Sequence, residues 1–188
     1  MIVNNDYDHS GDIISLLKHD PNWRLRYEAE RVMLLKLFGK RVRAIEHVGS
    51  TAIPSIEAKP VVDIMMGVER IDEFTADQPR LRKAGYTWGH GDSLEPDWRF
   101  YIKWKRGERL VHLHVVRFKG DFWDWTVRFR DYLRGHAEEA RKYETLKRQL
   151  VDKFRNDRTR YVAAKSAFID DILKVASRGE DGASTSSA

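Results

Sequence analysis

Glu46-His47-Val48-Gly49-Ser50-Thr51, followed by Lys59-Pro60-Val61-Val62-Asp63-Ile64, is the stretch that decides how this chain folds. A strand from Ala44 to Val48 runs into a Gly-Ser turn, and a second, nearly continuous apolar run from Val61 to Val68 carries one carboxylate, Asp63. Glycine lets the backbone approach an anion closely and a following serine adds a donor. Gly49 and Ser50 therefore read as an anion cradle rather than an ordinary serine-capped turn, with Thr51 offering a second hydroxyl. An aspartate among Val61, Val62, Ile64, Met65 and Met66 is costly to bury without a cation, a metal or donors. A phosphate-and-metal site is expected, the alternative for Asp63 being a structural ion pair with Lys59 or Arg99.

Working outward, Asp20-Pro21-Asn22-Trp23 reads as a helix start, with Asp20 as cap and Pro21 in the first turn. Trp23, Tyr27, Leu34 and Phe38 then recur on one helical face and Gly39 ends it. Residues Ile71 to Ala84 read as helical, broken or restarted at Pro79, and 85–97 as pocket-lining loops. Trp98 to Trp104 and Arg109 to Arg117 form a hairpin joined by Lys105-Arg106-Gly107-Glu108. Its second strand puts Leu110, His112, His114 and Val116 on one face and Val111, Leu113 and Val115 on the other. Three helices follow, near Phe122 to Arg134, Ala137 to Phe154 and Arg158 to Ala176. Residues up to Gly11 are a poorly specified lead-in, and 177–188 form a Ser/Gly-rich tail expected to be disordered.

The pattern predicts an α+β fold: one domain over 1–176, a small mixed sheet covered by helices, with a helical C-terminal part from about 121. Of 188 residues, 41% are hydrophobic and 11% aromatic, which supports one buried core. Cysteine is absent, which excludes disulfides, thiolate metal sites and cysteine nucleophiles. No apolar run approaches the ~20 residues of a membrane span, and no signal-like start is present, so a soluble cytoplasmic protein is expected. The formal charge of +5 is carried by interspersed charges, as solvated helix faces are; a real anion-binding surface is the minority reading.

Glu46 to Pro54 and Ala58 to Ile64 together resemble the signature of the GrpB family. Asp20 to Trp23, Arg99-Phe100-Tyr101, His112-Leu113-His114 and Phe129 to Arg134 extend the resemblance to about residues 18–175. That family is similar to the nucleotidyltransferase superfamily, with its polymerase-beta-like palm. The resemblance implies a Gly-Ser loop holding nucleotide phosphates and carboxylates on neighbouring strands holding divalent metal, commonly two on one strand at Asp-x-Asp or Asp-x-Glu spacing. Asp63 fits the first position, but Met65 stands where the second carboxylate would be, and His112 and His114 stand where a third is expected.

The candidate catalytic residues are therefore Asp63, Glu46, His112 and His114. Asp63, His112 and His114 are the candidate ligands for Mg²⁺ or Mn²⁺, with Zn²⁺ as the alternative, because imidazole suits Zn, Mn, Fe or Ni better than Mg. Gly49, Ser50, Thr51, Lys59, Arg99 and Lys103 are the candidate phosphate or substrate binders. Glu46 is the candidate extra oxygen donor, on the strand face opposite His47. The aromatic cluster Phe122, Trp123, Trp125 and Phe129 reads as core rather than a base-stacking platform. The expected function is a nucleotidyltransferase-like enzyme or nucleotide-binding protein, transferring a nucleotidyl group to a small-molecule or RNA acceptor if active. A catalytically inert module for an anionic metabolite or nucleic acid, and a His/Asp metal enzyme of another reaction class, are the alternatives.

Overall fold

A computed structural model describes residues 13–74, 78–89 and 97–183. The expected lead-in to Gly11, and His90 and Glu95 of the expected pocket loops, lie outside the described residues. Helix α1 (Asn22–Phe38) opens with the Asp20 carboxylate accepting the Asn22 N–H at 2.9 Å. Its inner stripe is the predicted one, Trp23, Tyr27, Leu34 and Phe38, with Glu30 also buried.

Strands β1 (Val42–Val48), β2 (Val62–Val68), β3 (Tyr86–Trp88), β4 (Trp98–Lys105) and β5 (Glu108–Arg117) form one mixed sheet ordered β1-β2-β5-β4-β3. Only β2 and β5 run parallel. β2 is flanked by strands and covered on both faces, which explains its unbroken apolar run. The β4–β5 connection is tighter than the four residues expected: Arg106 and Gly107 both take positive φ, as a two-residue type I′ hairpin requires. β3 corrects the loop reading of Tyr86 and Trp88, which form an edge strand on β4. Three residues are too few to display a period of two in sequence.

Alternation along the strands splits the core. Ile45, Ile64, Met66, Tyr101, Leu113 and Val115 pack towards α1 and helix α2 (Gln78–Lys83). Val48, Met65, Phe100, Ile102 and Val116 pack on the other face with Trp123 of α3 (Asp121–Gly135). The aromatics near α3 serve the core as predicted: Trp123 is buried, Phe122 stacks on Trp98 and Phe129 meets Tyr143 edge-on. Only Trp125 of that cluster is largely exposed.

Lys103 and Arg99 are corrected by the same alternation, since both face α1. Lys103 Nζ donates to both carboxylate oxygens of Glu30 at 2.7 and 2.9 Å, and the Tyr86 hydroxyl donates to Glu30 at 2.8 Å. Arg99 is 6% exposed and donates to the Trp98 carbonyl at 2.9 Å. The Glu30 bonds are structural contacts between helix and sheet. Glu30→Ala strips a buried cation and a phenol of their shared acceptor, and is expected to cost about 3 kcal/mol. A urea midpoint unchanged from wild type would rule that network out as a source of stability.

Helices α4 (Ala137–Phe154), α5 (Arg158–Ala163) and α6 (Ser166–Ala183) complete the chain. The single helix expected from Arg158 is thus two, interrupted at Ala164-Lys165. Residues 177–183 of the expected disordered tail continue α6, while 184–188 lie outside the described residues. Ile53 and Ile56, just past the Gly-Ser turn, pack with Leu133, Ala140, Tyr143 and Ile172. That apolar contact fastens the turn directly to the C-terminal helices. No helix among the described residues is long and apolar enough to cross a membrane.

Candidate anion-binding site

β1 ends at Val48, and Gly49 follows with φ 68° and ψ −173°, a conformation essentially reserved for glycine. Its reason is Asp63 on the neighbouring strand. A methyl group on Gly49 would overlap Asp63 Oδ2 and lie 3.0 Å from its Cβ and Cγ. One short 3-10 turn, Ser50–Ala52, then carries the hydroxyl groups. Tyr143 of α4 is a hydrogen-bonding partner of Ser50, and burial pushes the Tyr143 phenol up to about 12.

Asp63 is held from β5. His112 Nδ1 lies 3.0 Å from Asp63 Oδ1, and His114 Nε2 is 3.9 Å from the same oxygen. Burial alone would raise the Asp63 carboxyl, but the hydrogen bond to His112 and the nearby His114 imidazole outweigh it and hold the group well below the usual carboxylate range. The ionised carboxylate can only accept, so His112 carries its proton on Nδ1. Trp98 Nε1 donates to His114 Nδ1 at 3.1 Å, which assigns the proton of neutral His114 to Nε2, the nitrogen facing Asp63. Both imidazoles turn a nitrogen to the same carboxylate oxygen, His112 at hydrogen-bond distance and His114 farther off.

This bonding does not fit the metal centre expected at Asp63, His112 and His114. His112 Nδ1 is hydrogen-bonded to Asp63 Oδ1, and His114 Nε2 stands 3.9 Å from the same oxygen. Met65, on the Asp63 side of β2, is fully buried among apolar side chains and adds no oxygen. Among the described residues no group of three or more His, Asp or Glu side chains is placed to hold a metal ion. What the pair can do is handle protons: a carboxylate that orients an imidazole also stabilises its protonated form.

Gly49, Ser50, Thr51, Lys59, Asp63, His112 and His114, separated by up to 65 positions (114 − 49), converge on one cavity of about 270 Å³. Glu46 does not join them. As predicted it faces away from His47, but Arg130 of α3 claims it at 2.7 Å while also donating to the His47 carbonyl at 2.9 Å. Thr51 contributes wall rather than a free hydroxyl, since its Oγ1 meets His47 Nε2 at 3.0 Å. His47 stacks on Tyr27, and burial pushes its imidazole down to about 4.

Sequence reading missed the cationic half of the cavity: Arg109 from β5, Lys147 from α4, and Lys165 at the α5–α6 junction. Lys59 and Lys165 lie over the Tyr161 ring at 5.5 and 4.7 Å, and Lys147 over Tyr143 at 4.9 Å. Lys147 is 2% exposed and donates to the Glu57 carbonyl. Burial, reinforced by Lys165, pushes its amine down to about 7. One signal was available: Lys147 shares the buried face of α4 with Ala140, Tyr143 and Leu150, an apolar register in which lysine is out of place.

The comparisons agree with this architecture. The family described as "GrpB protein" matches residues 13–175. The chain is 36% identical over 170 residues to the "Glutamate-rich protein GrpB" of Alkalihalophilus pseudofirmus, covering 88% of this chain and 96% of that protein. It is 37% identical over 162 residues to a UPF0157 protein of Deinococcus radiodurans, covering 86% and 81%. The crystal structure of the conserved protein GrpB from Enterococcus faecalis superposes with a TM-score of 0.79 at 29% identity, over 88% of this chain and 99% of that one. The sheet order, the Gly-Ser turn against Asp63 and these matches lead to one conclusion: the chain belongs to the GrpB family.

Proposed function

We propose that the cavity binds a nucleotide or a comparable phosphorylated small molecule, in the manner of a nucleotidyltransferase-like protein. The observation that carries this reading is the charge of the cavity. Among the described residues that line it, Lys59, Arg109, Lys147 and Lys165 stand beside the Gly49-Ser50 turn against one carboxylate, Asp63, itself engaged by His112 and His114. Such an excess of cationic groups in a partly desolvated space selects for an anion. The volume of about 270 Å³ lies just below the ~300–1,000 Å³ typical of ligand pockets, which favours a compact ligand over a polymer.

Transfer of the nucleotidyl group to an acceptor is the activity the family resemblance implies. The geometry supports binding more directly than metal-dependent transfer, because Met65 leaves Asp63 without a second oxygen ligand on its strand. The Asp63–His112 pair is the proton acceptor available to any chemistry at the bound ligand.

Titration calorimetry with ATP, GTP, CTP and UTP, each with and without Mg²⁺, tests the reading. At least one is expected to bind, with affinity falling about tenfold or more in Lys59→Ala through loss of a charge-assisted contact. Silence from all four in both conditions rejects the nucleotide assignment.

A further inference from the structure

We infer that the end of the cavity formed by Lys59, Lys147 and Lys165 takes a terminal phosphate monoester, a dianion, and discriminates against a phosphodiester. The inference deepens the reading above by naming the ligand's charge class, and it rests on that reading only in sharing its cavity.

The three ammonium groups are gathered around two rings. Lys59 and Lys165 both sit over Tyr161, and Lys147 sits over Tyr143, whose hydroxyl engages Ser50. The carboxylates nearest Lys147 have other partners. Glu57 Oε2 accepts from Arg148 Nε at 3.0 Å, and Glu144 Oε1 accepts the Glu57 N–H at 2.7 Å and meets Arg148 at 3.5 Å. Lys147 is left donating to a neutral carbonyl oxygen, a weaker arrangement than an ion pair. A buried amine in that position is expensive unless a ligand compensates it. A singly charged diester neutralises one ammonium and presents two non-bridging oxygens. A monoester dianion presents three and brings a second negative charge to Lys147, whose own hydrogen bond is to a neutral carbonyl.

Proton linkage follows from the same placement. The charged groups facing Lys147 are Lys165 from the α5–α6 junction, Arg148 and Glu144 from its own helix, and Glu57 from the loop before β2. Lys165 and burial hold its amine near 7, so at pH 8 much of it is neutral in the empty protein. An incoming dianion favours the ammonium, so binding takes up a proton at that pH.

The experiment compares 5′-AMP with 3′,5′-cyclic AMP, which share base and sugar and differ in esterification. Calorimetry at pH 8 in buffers of different ionisation enthalpy reads affinity and proton uptake together. Wild type is expected to prefer 5′-AMP by about tenfold or more, with net proton uptake. Lys147→Met should lose both the preference and the uptake, whereas Lys147→Arg, which holds a permanent charge, should keep the preference without the uptake. Equal affinity for the two nucleotides, or a preference untouched in Lys147→Met, overturns the inference while leaving nucleotide binding intact. Inorganic phosphate separates the opposite failure. If it binds in a Lys147-dependent way and no nucleotide does, the dianion subsite stands and the nucleotide reading falls. If neither binds, both fall.

Discussion

Gly49→Ala is expected to lower stability by about 3 kcal/mol or more, combining the backbone strain of a non-glycine residue in this conformation with steric overlap. The added methyl has nowhere to go, because it meets the Asp63 carboxylate on one side while the backbone holds φ at 68°. Relief requires either Asp63 to swing away, breaking its bond to His112, or the Ser50–Ala52 turn to shift against Ile53 and Ile56. Either movement damages the cavity as well as the fold. For a chain of this length the expected drop in Tm is about 6–12 °C. Gly135→Ala is the control, since its added methyl meets nothing within 4 Å at the end of α3. Equal melting temperatures for the two variants would show that Gly49 is not the constrained position claimed here.

Lys147→Met should do the reverse, raising stability near neutral pH by about 1–3 kcal/mol while weakening anion binding. Methionine keeps the volume and removes a desolvated amine; the lost hydrogen bond to Glu57 is the smaller effect. The pH dependence has a definite sign. The folded amine is depressed from 10.5 to about 7, so between those values the unfolded chain binds more protons and wild-type stability rises with pH. Below about 7 both states are protonated and the deficit is constant. The advantage of Lys147→Met is therefore largest at and below pH 7 and shrinks towards pH 10. Thermal melts of both proteins across that range check it. A variant less stable than wild type at pH 6 would mean that Lys147 contributes to the fold rather than being retained at its expense.

A buried amine that lines a cavity and costs stability is one that an anionic ligand would compensate. That is why Lys147, rather than the more conspicuous histidines, is the centre of the ligand argument. The histidines are accounted for by Asp63. His112 Nδ1 is turned to the Asp63 carboxylate, and His114 Nδ1 accepts from the Trp98 indole. Lys147 donates to a backbone carbonyl rather than to a carboxylate.

By itself the sequence determined the local architecture and half of the cavity. The α1 stripe, the buried β2 strand and the β4–β5 hairpin follow from periodicities of 3.6 and 2 that each segment displays without its neighbours. The Gly-Ser turn and the lone carboxylate of an apolar strand were legible because each violates a local rule that only a specific contact explains. Alternation also separated Glu46 from His47 and grouped His112 with His114. The tertiary structure decided which helix each strand face meets. That placed Lys103 against Glu30 of α1, buried Arg99 on the same face of β4, gave Glu46 to Arg130, and joined Asp63 to His112 by a hydrogen bond. It also brought Lys147 and Lys165 to the Gly-Ser turn from about 100 residues away, a juxtaposition set by the Ile53–Leu133–Tyr143 packing. Period fixes which residues share a face; only the packing of one element on another fixes what that face touches.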